Sequence, residues 1–321
     1  MKRTVHRLFI SLACFLVLAV PVSAAQMLVP VGEVIGLELR GDSITVSAFD
    51  QSLPAGREAG LKIGDEILSI DGHTIDCAED IRHALNRADG NVDVVVSRGG
   101  KETALQVAPT VTPEGPRLGV YLRQGVTGIG TVTFYDPATG AFGTLGHGVN
   151  DHAGRLLDMT AGTAFPADVV SIDRGRAGSP GQLRGSLSAD YELGPIARNT
   201  AQGVFGTIRG KMEGEAIPAA AAAEVSTGPA TIRSTVDDRG PREYSVEILK
   251  IYPEDRSDGR NLLLRVTDPE LLSTTGGIVQ GMSGSPIIQD GKLVGAVTHV
   301  LVNDPQTGYG IFIENMLEAA A

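Results

Sequence analysis

From residue 118 onwards the sequence consists of short apolar segments separated by glycines. Examples lie at 118–122, 130–134, 203–208 and 293–301. No long amphipathic helical pattern comes between these segments, apart from the alanine-rich stretch 218–225. Many short strands at regular spacing are typical of all-β barrels and sandwiches. We therefore predict a mainly β fold for this part of the chain.

The N-terminus has the order of a secretory signal. Basic residues among positions 1–7 precede an apolar run from Leu8 to Val22, and small residues follow at 23–25, as in segments removed after Ala24 or Ala25. An uncleaved membrane anchor is the alternative, because the run is only slightly short for a span. We predict export, with residues 1–25 as a signal peptide or membrane anchor and residues 26–33 as a linker.

The net charge argues against one class of partner, and the cysteine content excludes an intrachain disulfide. The formal net charge is -11 at pH 7, which argues against a nucleic acid partner because nothing would neutralise its phosphates. Of the two cysteines, Cys14 lies in the apolar run of the predicted signal, so Cys77 alone remains beyond it. An intrachain disulfide is therefore excluded in the exported part. We expect no cofactor and no metal.

Residues 34–112 carry a different, mixed pattern. Alternating strands are predicted at 43–49, 66–70 and 92–96, and a hairpin turn at Asp71-Gly72. Between 77 and 88 the apolar residues fall at helical spacing. The segment is therefore predicted to form a small α+β domain.

The run AGLKIGDEILSIDG at 59–72 resembles the corresponding motif of PDZ domains. The resemblance implies a domain that binds an extended peptide by adding a strand to a sheet edge beside a helix. It would place the groove between the strand near Ile44–Ala48 and the helix near Ile81–Leu85. A Pro/Gly connector at 111–116 predicts the boundary with a second domain, residues 113–321.

The second domain contains a serine flanked by glycines, in GMSGSP at 281–286. Glycines in such a turn let backbone N–H groups converge on one point, as an oxyanion hole requires. An ordinary Gly/Ser loop between two strands is the alternative interpretation. The hexapeptide alone does not decide between the two.

His147 also lies between two glycines, at the end of a predicted strand. A serine nucleophile needs a neighbouring base, and imidazole has the pKa for that task. The order His147 then Ser283 is similar to that of chymotrypsin-like enzymes, and GMSGSP is similar to their GDSGGP motif. That likeness assigns the nucleophile to Ser283 rather than Ser285, and the oxyanion hole to the N–H groups of Gly281 and Ser283. Met282 replaces the motif's aspartate, so activation by an N-terminal ion pair to that aspartate is excluded.

Several segments together resemble the stage IV sporulation protein B serine peptidase family. They are GTLGHGVND around His147, RAGSPGQL at 176–183, GVFG at 203–206 and the tail from TGGIVQ at 275 to 317. The resemblance implies a chymotrypsin-like double β-barrel-type serine peptidase domain after the PDZ domain. It also implies a serine endopeptidase of sporulation, exported to the space between the forespore and mother-cell membranes.

The same resemblance implies the substrates and partners. A family member cleaves itself near its N-terminus and cuts a regulatory membrane protein of an intramembrane protease complex. That cut triggers intramembrane proteolysis and activates the late mother-cell sigma factor. The PDZ groove is expected to hold a peptide ligand during recognition of the enzyme itself or of its target.

The family pattern further points to Asp268 as the triad acid, which would orient His147 and stabilise its imidazolium form. The sequence Asp268-Pro269 is also well suited simply to start a turn. In chymotrypsin-like chains the acid lies much nearer the histidine in sequence. Three other aspartates therefore stay open as alternatives: Asp151, Asp168 and Asp190.

Two rival interpretations and one further histidine complete the hypotheses. His299 lies in an apolar strand and is expected to be structural or pocket-lining rather than the base. Proteases of the high-temperature-requirement class carry PDZ domains after the protease domain, which is the reverse of the order here. The rival outside the enzymes is a PDZ-based adaptor with an inactive peptidase-like domain, and the presence of both His147 and Ser283 in glycine-rich surroundings disfavours it.

Overall fold

The computed structural model describes residues 25–151, 154–252 and 259–321. The predicted signal segment lies outside these ranges except for its last residue. Among the described residues, no helix is long and apolar enough to cross a membrane.

Strands dominate the described residues. The strands are β1 Met27–Pro30, β2 Val34–Phe49, β3 Glu66–Ile70, β4 His73–Thr74, β5 Val92–Arg98, β6 Lys101–Val107, β7 Thr110–Thr112, β8 Gly115–Arg117, β9 Val120–Tyr135, β10 Ala141–Thr144, β11 Met159–Asp173, β12 Gln182–Leu187, β13 Gly194–Thr200, β14 Gly203–Thr207, β15 Ile217–Pro218, β16 Gly228–Ser234, β17 Arg242–Ile251, β18 Leu262–Val266, β19 Pro286–Gln289, β20 Lys292–Leu301 and β21 Asp304–Phe312. The α-helices are α1 Ala55–Glu58, α2 Ala78–Arg87, α3 Pro269–Thr275 and α4 Ile313–Ala320, and a 3-10 helix spans Ala222–Glu224.

The first barrel is a closed ring of antiparallel strands in the order β9-β10-β14-β13-β11-β2 and back to β9. Its interior is filled by apolar side chains that include Leu37, Val132 and Phe142. Glycines make room for the larger rings, since a Cβ on Gly143 would lie 2.4 Å from the Phe134 ring. Along these strands apolar residues that point inward alternate with other residues, as the glycine-separated apolar segments of the sequence predict.

The second barrel closes in the order β16-β17-β18-β21-β20-β19. Tyr244, Ile248, Leu264 and Val297 are buried in its core. The prediction of a mainly β fold, with a double barrel after a small α+β domain, is confirmed. The alanine-rich stretch 218–225 contains only the short 3-10 helix.

The two barrels meet along a shared apolar layer. Phe134 and Phe205 from the first barrel pack in one buried cluster with Leu293 and Ile311 from the second. Helix α4 contributes Met316 to the same cluster. This layer fixes the two barrels against each other and so positions the loops between them.

The PDZ domain is built on two strands of the first barrel. Residues 35–41 of β2 pair with β11 in the barrel, whereas residues 44–49 pair with the start of β9 and extend into the PDZ sheet. Helix α2 covers this sheet, and Ile67, Ile81 and Val94 are buried between them. Residues 34–41, assigned to the PDZ segment from the sequence, therefore also form part of the barrel wall.

The predicted position of the PDZ groove is wrong. The strand that faces α2 is the start of β9, because Val120–Gln124 pair with 44–49 and thereby form the sheet edge. A cavity of about 420 Å³ lies between Leu118–Leu122 and α2, where Ile81 and Leu85 line it. The edge strand lies beyond the predicted connector, so the sequence pattern of 34–112 could not reveal it.

Candidate active site

The two serines of GMSGSP occupy different environments. Ser285 is fully buried, and its hydroxyl donates to the Met282 carbonyl at 2.7 Å and lies 3.0 Å from the Ser234 hydroxyl. Ser283 is half-buried and lines a cavity between the barrels. Met282, at the position of the aspartate in chymotrypsin-like enzymes, is fully buried in the core of the second barrel. Only Ser283 is therefore placed to meet a substrate.

The loop around Ser283 needs its glycines. Gly281 and Gly284 have φ values of 97° and 96°, in the region that side chains other than glycine rarely adopt. A Cβ on Gly284 would lie 2.0 Å from the carbonyl oxygen of Thr131. The loop can therefore approach β9 only because this residue has no side chain.

Strand β9 of the first barrel holds the Ser283 loop through three hydrogen bonds. The Thr131 N–H donates to the Ser283 carbonyl at 3.0 Å. The Thr131 hydroxyl donates to the Gly281 carbonyl at 2.8 Å, and the Thr133 hydroxyl to the Gly284 carbonyl at 2.7 Å. Both threonines are fully buried, so water does not compete for these bonds.

The His147 loop is attached to the same strand. The Thr131 carbonyl accepts from the Thr144 hydroxyl at 2.5 Å and from the Leu145 N–H at 3.4 Å. Leu145 has a φ of 69°, which is strained for a leucine and is the kind of outlier that clusters at functional sites. Thr131 thus connects the loop of the histidine with the loop of the serine.

The hydrogen bond of His147 defines its tautomer. Nδ1 lies 2.9 Å from the Gly148 carbonyl oxygen, and a carbonyl only accepts, so Nδ1 carries the proton. In the neutral ring Nε2 is then free to accept one. Burial lowers the pKa of His147 from its usual 6.5, although the bond to Gly148 acts in the opposite direction. The ring is therefore neutral near pH 7, as a general base must be.

His147 and Ser283 line the same cavity, of about 600 Å³, although they come from different barrels. His299 also lines it, with its ring centroid 5.2 Å from that of His147, as expected for a pocket-lining residue. The Ser283 hydroxyl donates to the Thr298 carbonyl at 2.8 Å. The remaining lining is largely apolar: Leu37, Leu39, Val126, Ile129, Leu145, Val149, Ile278, Val279, Val300 and Val302.

Two N–H groups of the serine loop are uncommitted. In the part of the chain that the structure describes, neither the Gly281 N–H nor the Ser283 N–H donates a hydrogen bond. The preceding carbonyls are fixed: that of Gln280 accepts from the Leu183 N–H at 2.8 Å, and that of Met282 from the Ser285 N–H at 3.0 Å. Because a peptide unit is planar, fixing each carbonyl also fixes the direction of the N–H on the same unit.

Asp268 has a structural task in this geometry. Its Oδ1 accepts from the N–H groups of Glu270 and Leu271 at 2.9 Å, and its Oδ2 from the Ser245 N–H at 3.3 Å. These bonds cap helix α3, the arrangement that Asp favours before a Pro at the first helical position. Asp268 does not line the cavity of His147 and Ser283, so its triad role stays a prediction.

The alternative aspartates do not line the cavity either. Asp151 forms an ion pair with Arg155 at 2.8 Å, and Asp168 and Asp190 are exposed. Among the described residues, none of those that line the cavity carries a carboxylate. The Gly148 carbonyl is the group that orients the imidazole in this structure.

Sequence reasoning missed the residues that support the site. Thr131 and Thr133 carry no motif, although alternation along a strand puts them on one face. Leu183 belongs to RAGSPGQL, which was identified only as part of a family resemblance, and its N–H holds the Gln280 carbonyl. The sequence assigns no role to Ser285. Its hydroxyl nevertheless donates to the Met282 carbonyl, which belongs to the same peptide unit as the Ser283 N–H.

Two family models match the sequence. The model of the SpoIVB peptidase S55 matches residues 114–317, and the model of the PDZ domain matches residues 34–108. The first covers more than half of the chain. The chain belongs to the SpoIVB peptidase S55 family. The predicted family and its N-terminal PDZ domain are thereby confirmed.

Individual relatives are more distant. A protein named "Putative zinc metalloprotease Atu1380" from Agrobacterium fabrum (strain C58 / ATCC 33970) is 28% identical over 155 residues, which are 48% of this chain and 38% of that protein. The chain thus spans well under half of that relative. Among the described residues, no group of three or more His, Cys, Asp or Glu side chains could hold a metal ion.

Solved structures show distant likeness as well. The inactive form of the Rv3671c protease is 14% identical with a TM-score of 0.35, over 61% of this chain and 85% of that one. The active form of Rv3671c from M. tuberculosis is 16% identical with a TM-score of 0.33, over 62% and 75%.

Proposed function

We propose that this chain is a serine endopeptidase that works through an acyl-enzyme on Ser283, with His147 as general base. The observation that carries the proposal is the shared cavity, where loops of two different barrels bring Ser283 and His147 together beside two uncommitted N–H groups. Thr131 supports the arrangement because it is bonded to both loops.

The reaction starts when the Ser283 hydroxyl leaves the Thr298 carbonyl and turns to Nε2 of His147. The bond from Oγ to the substrate carbonyl carbon forms as the hydroxyl proton moves to Nε2. The negative charge that develops on the carbonyl oxygen is stabilised by the N–H groups of Gly281 and Ser283. The C–N bond then breaks, and His147 returns the proton to the leaving amine.

Deacylation repeats the same steps with water. His147 takes a proton from the water as its oxygen attacks the acyl carbon, and the proton then passes to Ser283 Oγ as the ester bond breaks. In both half-reactions the Gly148 carbonyl holds Nδ1–H, so Nε2 is the nitrogen that takes up and returns the proton. That orienting task is the one an aspartate performs in other serine proteases.

The biological setting is proposed from family membership and from the N-terminal pattern. The enzyme is exported to the space between the forespore and mother-cell membranes, associated with a membrane where its N-terminal segment is retained. There it cleaves itself and a regulatory membrane protein of an intramembrane protease complex. That cleavage triggers intramembrane proteolysis and activates the late mother-cell sigma factor, while the PDZ groove holds a peptide of the target or of a second copy.

A second candidate function is that of a PDZ-based adaptor with an inactive peptidase-like domain. Two observations favour it: the Ser283 hydroxyl is bonded to Thr298 rather than to His147, and no described residue that lines the cavity is a carboxylate. An adaptor of this kind would bind peptides in the groove beside α2 and leave Ser283 unreactive.

Intact mass after exposure to a fluorophosphonate separates the two functions. Wild type is expected to gain one adduct at Ser283 and to show trimming near its N-terminus, whereas Ser283→Ala should show neither. Ser188→Ala is the matched control, because Ser188 is exposed and does not line the cavity. Its labelling should equal that of wild type. An unlabelled, untrimmed wild type that is folded would establish the adaptor instead.

A further inference from the structure

We propose that the cavity beside Ser283 selects substrates with an apolar side chain on the residue that contributes the scissile carbonyl, here called the scissile residue. The proposal rests on the acyl-enzyme function and deepens it by naming the substrate class. Its basis is the composition of the cavity walls closest to the Ser283 hydroxyl.

One wall precedes Ser283 directly in the chain. Ile278 and Val279 line the cavity on this side, followed by Gln280 and Gly281. Ile278 is only 2% exposed, and its Cδ1 occupies the space above Gly308, where a Cβ would lie 2.5 Å away. Ile278 therefore forms a fixed apolar end of the cavity.

The opposite wall is the end of β20. The Thr298 carbonyl accepts the Ser283 hydroxyl, and Val300 and Val302 continue the wall from there. Val300 pairs with Gly308 in the neighbouring strand, so the two walls meet at that glycine. The space between these two walls is called the slot below. When the carbonyl of the scissile residue is bound at Ser283, the side chain of that residue has the slot immediately beside it.

The slot has no carboxylate, ammonium or guanidinium group among its described lining residues that would compensate a charge. Among the described residues, no Asp, Glu, Lys or Arg lines the cavity. The Thr298 hydroxyl is already committed to the Gly259 carbonyl. A substrate ammonium or carboxylate would lose its hydration without gaining a partner, which is strongly unfavourable. An apolar side chain would gain from leaving water.

The size of the cavity fits a side chain together with some of the adjoining peptide. Its volume of about 600 Å³ lies within the range of roughly 300–1,000 Å³ that is usual for ligand sites. Leu37 and Ile129 of the first barrel line its other side, and this apolar surface remains for neighbouring substrate residues. Valine, leucine, methionine and phenylalanine are therefore the side chains that we expect at the scissile residue.

A series of peptidyl diphenyl phosphonates tests this preference. The five probes share one peptide and differ only in carrying valine, leucine, phenylalanine, lysine or aspartate at the scissile position. Labelling of the full chain at Ser283 is followed by intact mass. We expect the three apolar probes to react at least about tenfold faster than the lysine and aspartate probes, the scale on which pockets discriminate side chains.

A charge placed at the mouth of the slot provides the second arm. Val302 lines the cavity and is 52% exposed, so Val302→Asp is compatible with folding. It should raise the ratio of lysine-probe to leucine-probe labelling about fivefold, the scale of an exposed ion pair. The matched control is Val170→Asp, because Val170 is 69% exposed and lies outside the cavity. The ratio should not change in that control.

The outcomes separate this proposal from the function on which it rests. If a generic fluorophosphonate fails to label Ser283, the acyl-enzyme function is wrong. If the generic probe labels Ser283 but the five phosphonates react at similar rates, the preference is wrong. A shift in Val302→Asp no larger than that in Val170→Asp would likewise overturn the assignment of the slot.

Discussion

The Thr131 N–H donates to the Ser283 carbonyl at 3.0 Å, so a strand of the first barrel holds the nucleophile loop of the second. The same residue accepts from the Leu145 N–H, two residues before His147. The loops of the serine and the histidine are thus both hydrogen-bonded to one buried residue, Thr131, and the two side chains are not bonded to each other. Their relative position is therefore set by β9 as well as by the apolar layer between the barrels.

Replacement of the Thr131 hydroxyl should therefore reduce turnover. Thr131→Val leaves the buried Gly281 carbonyl without its donor, which lowers the free energy of unfolding by about 1–3 kcal/mol. It also releases the peptide unit between Gly281 and Met282, next to Ser283. We expect kcat to fall about tenfold with KM little changed, as for an interaction that matters mainly in the transition state. Kinetics on a peptide substrate and thermal melting would measure both effects.

Two further variants distinguish positioning from simple destabilisation. Thr131→Ser retains the hydroxyl and should restore kcat. Thr127→Val changes an exposed threonine of the same strand and should alter neither kcat nor the melting temperature. Equal loss of kcat and melting temperature in Thr131→Val and Thr131→Ser would contradict the positioning role.

The pH dependence should reflect the environment of His147. Burial lowers the pKa of its imidazole below the usual 6.5, and this effect outweighs the hydrogen bond to the Gly148 carbonyl, which acts in the opposite direction. Since the neutral ring is the active form, we expect kcat/KM to be maximal at pH 7 and to fall only as the pH drops below about 6.5.

Stability should change in the same direction. In the unfolded chain His147 binds its proton near pH 6.5, whereas in the folded chain it does so at a lower pH. Its contribution to the free energy of unfolding is therefore fully present above pH 6.5 and is lost as the pH falls towards the folded pKa. His73→Ala, at an exposed position outside the cavity, is the control that should leave the kcat/KM profile unchanged. A kcat/KM profile that rises towards acid pH would contradict the assignment of His147 as base.

The variant Asp268→Asn distinguishes a helix-capping role of Asp268 from a role as the triad acid. Asparagine caps helices as well as aspartate does, and its Oδ1 can accept from the N–H groups of Glu270 and Leu271 as Asp268 does now. If the carboxylate serves α3 only, the variant should keep its melting temperature and should lose less than about tenfold in kcat.

The matched variant is Asp268→Ala, which removes the cap. It should lower the free energy of unfolding by about 1 kcal/mol, measured by denaturant titration. A loss of about 10⁴ in kcat for Asp268→Asn with unchanged stability is the result expected of a triad aspartate. That result would show that the helix releases Asp268 when substrate binds.

The sequence revealed those site residues whose backbone is unusual, and missed those that act through ordinary strands. Ser283 and His147 stand out because each is flanked by glycines, and Gly284 has no room for a side chain beside Thr131. Thr131 itself is one of several threonines in a β-strand, and its contacts with Gly281 and Ser283 are 150 or more residues away in the chain. No local pattern encodes such a pairing.

The domain organisation was visible only in part, for a similar reason. The motif at 59–72 identified the PDZ domain, and the helix at 77–88 was found at Ala78–Arg87. However, β2 is one strand of 16 residues that pairs with β9 along its length, while the partner on its other edge changes half-way from β11 to β3. Alternation of apolar residues continues through such a change, so the pattern shows no boundary there.

Shared strands determine how the PDZ domain can be removed. Leu39 of β2 pairs with Val126 of β9 at the barrel rim, and the PDZ sheet begins beyond that pair. Replacing residues 42–124 by Asn-Gly would leave Gly41 and the inserted Asn-Gly as a three-residue hairpin loop between the two strands and would leave the barrel wall complete. We expect this variant to fold and to react with a fluorophosphonate at Ser283 as wild type does, with slower trimming of its own N-terminus.

Deletion of residues 34–112 is the informative contrast, although it removes fewer residues. It takes away the half of β2 that pairs with β11, which opens the first barrel and removes Leu37 from its core. That variant should be unfolded and unreactive, as judged by circular dichroism and intact mass. If the shorter deletion folded and reacted while the hairpin replacement did not, β2 could not be a strand of the barrel that carries Thr131.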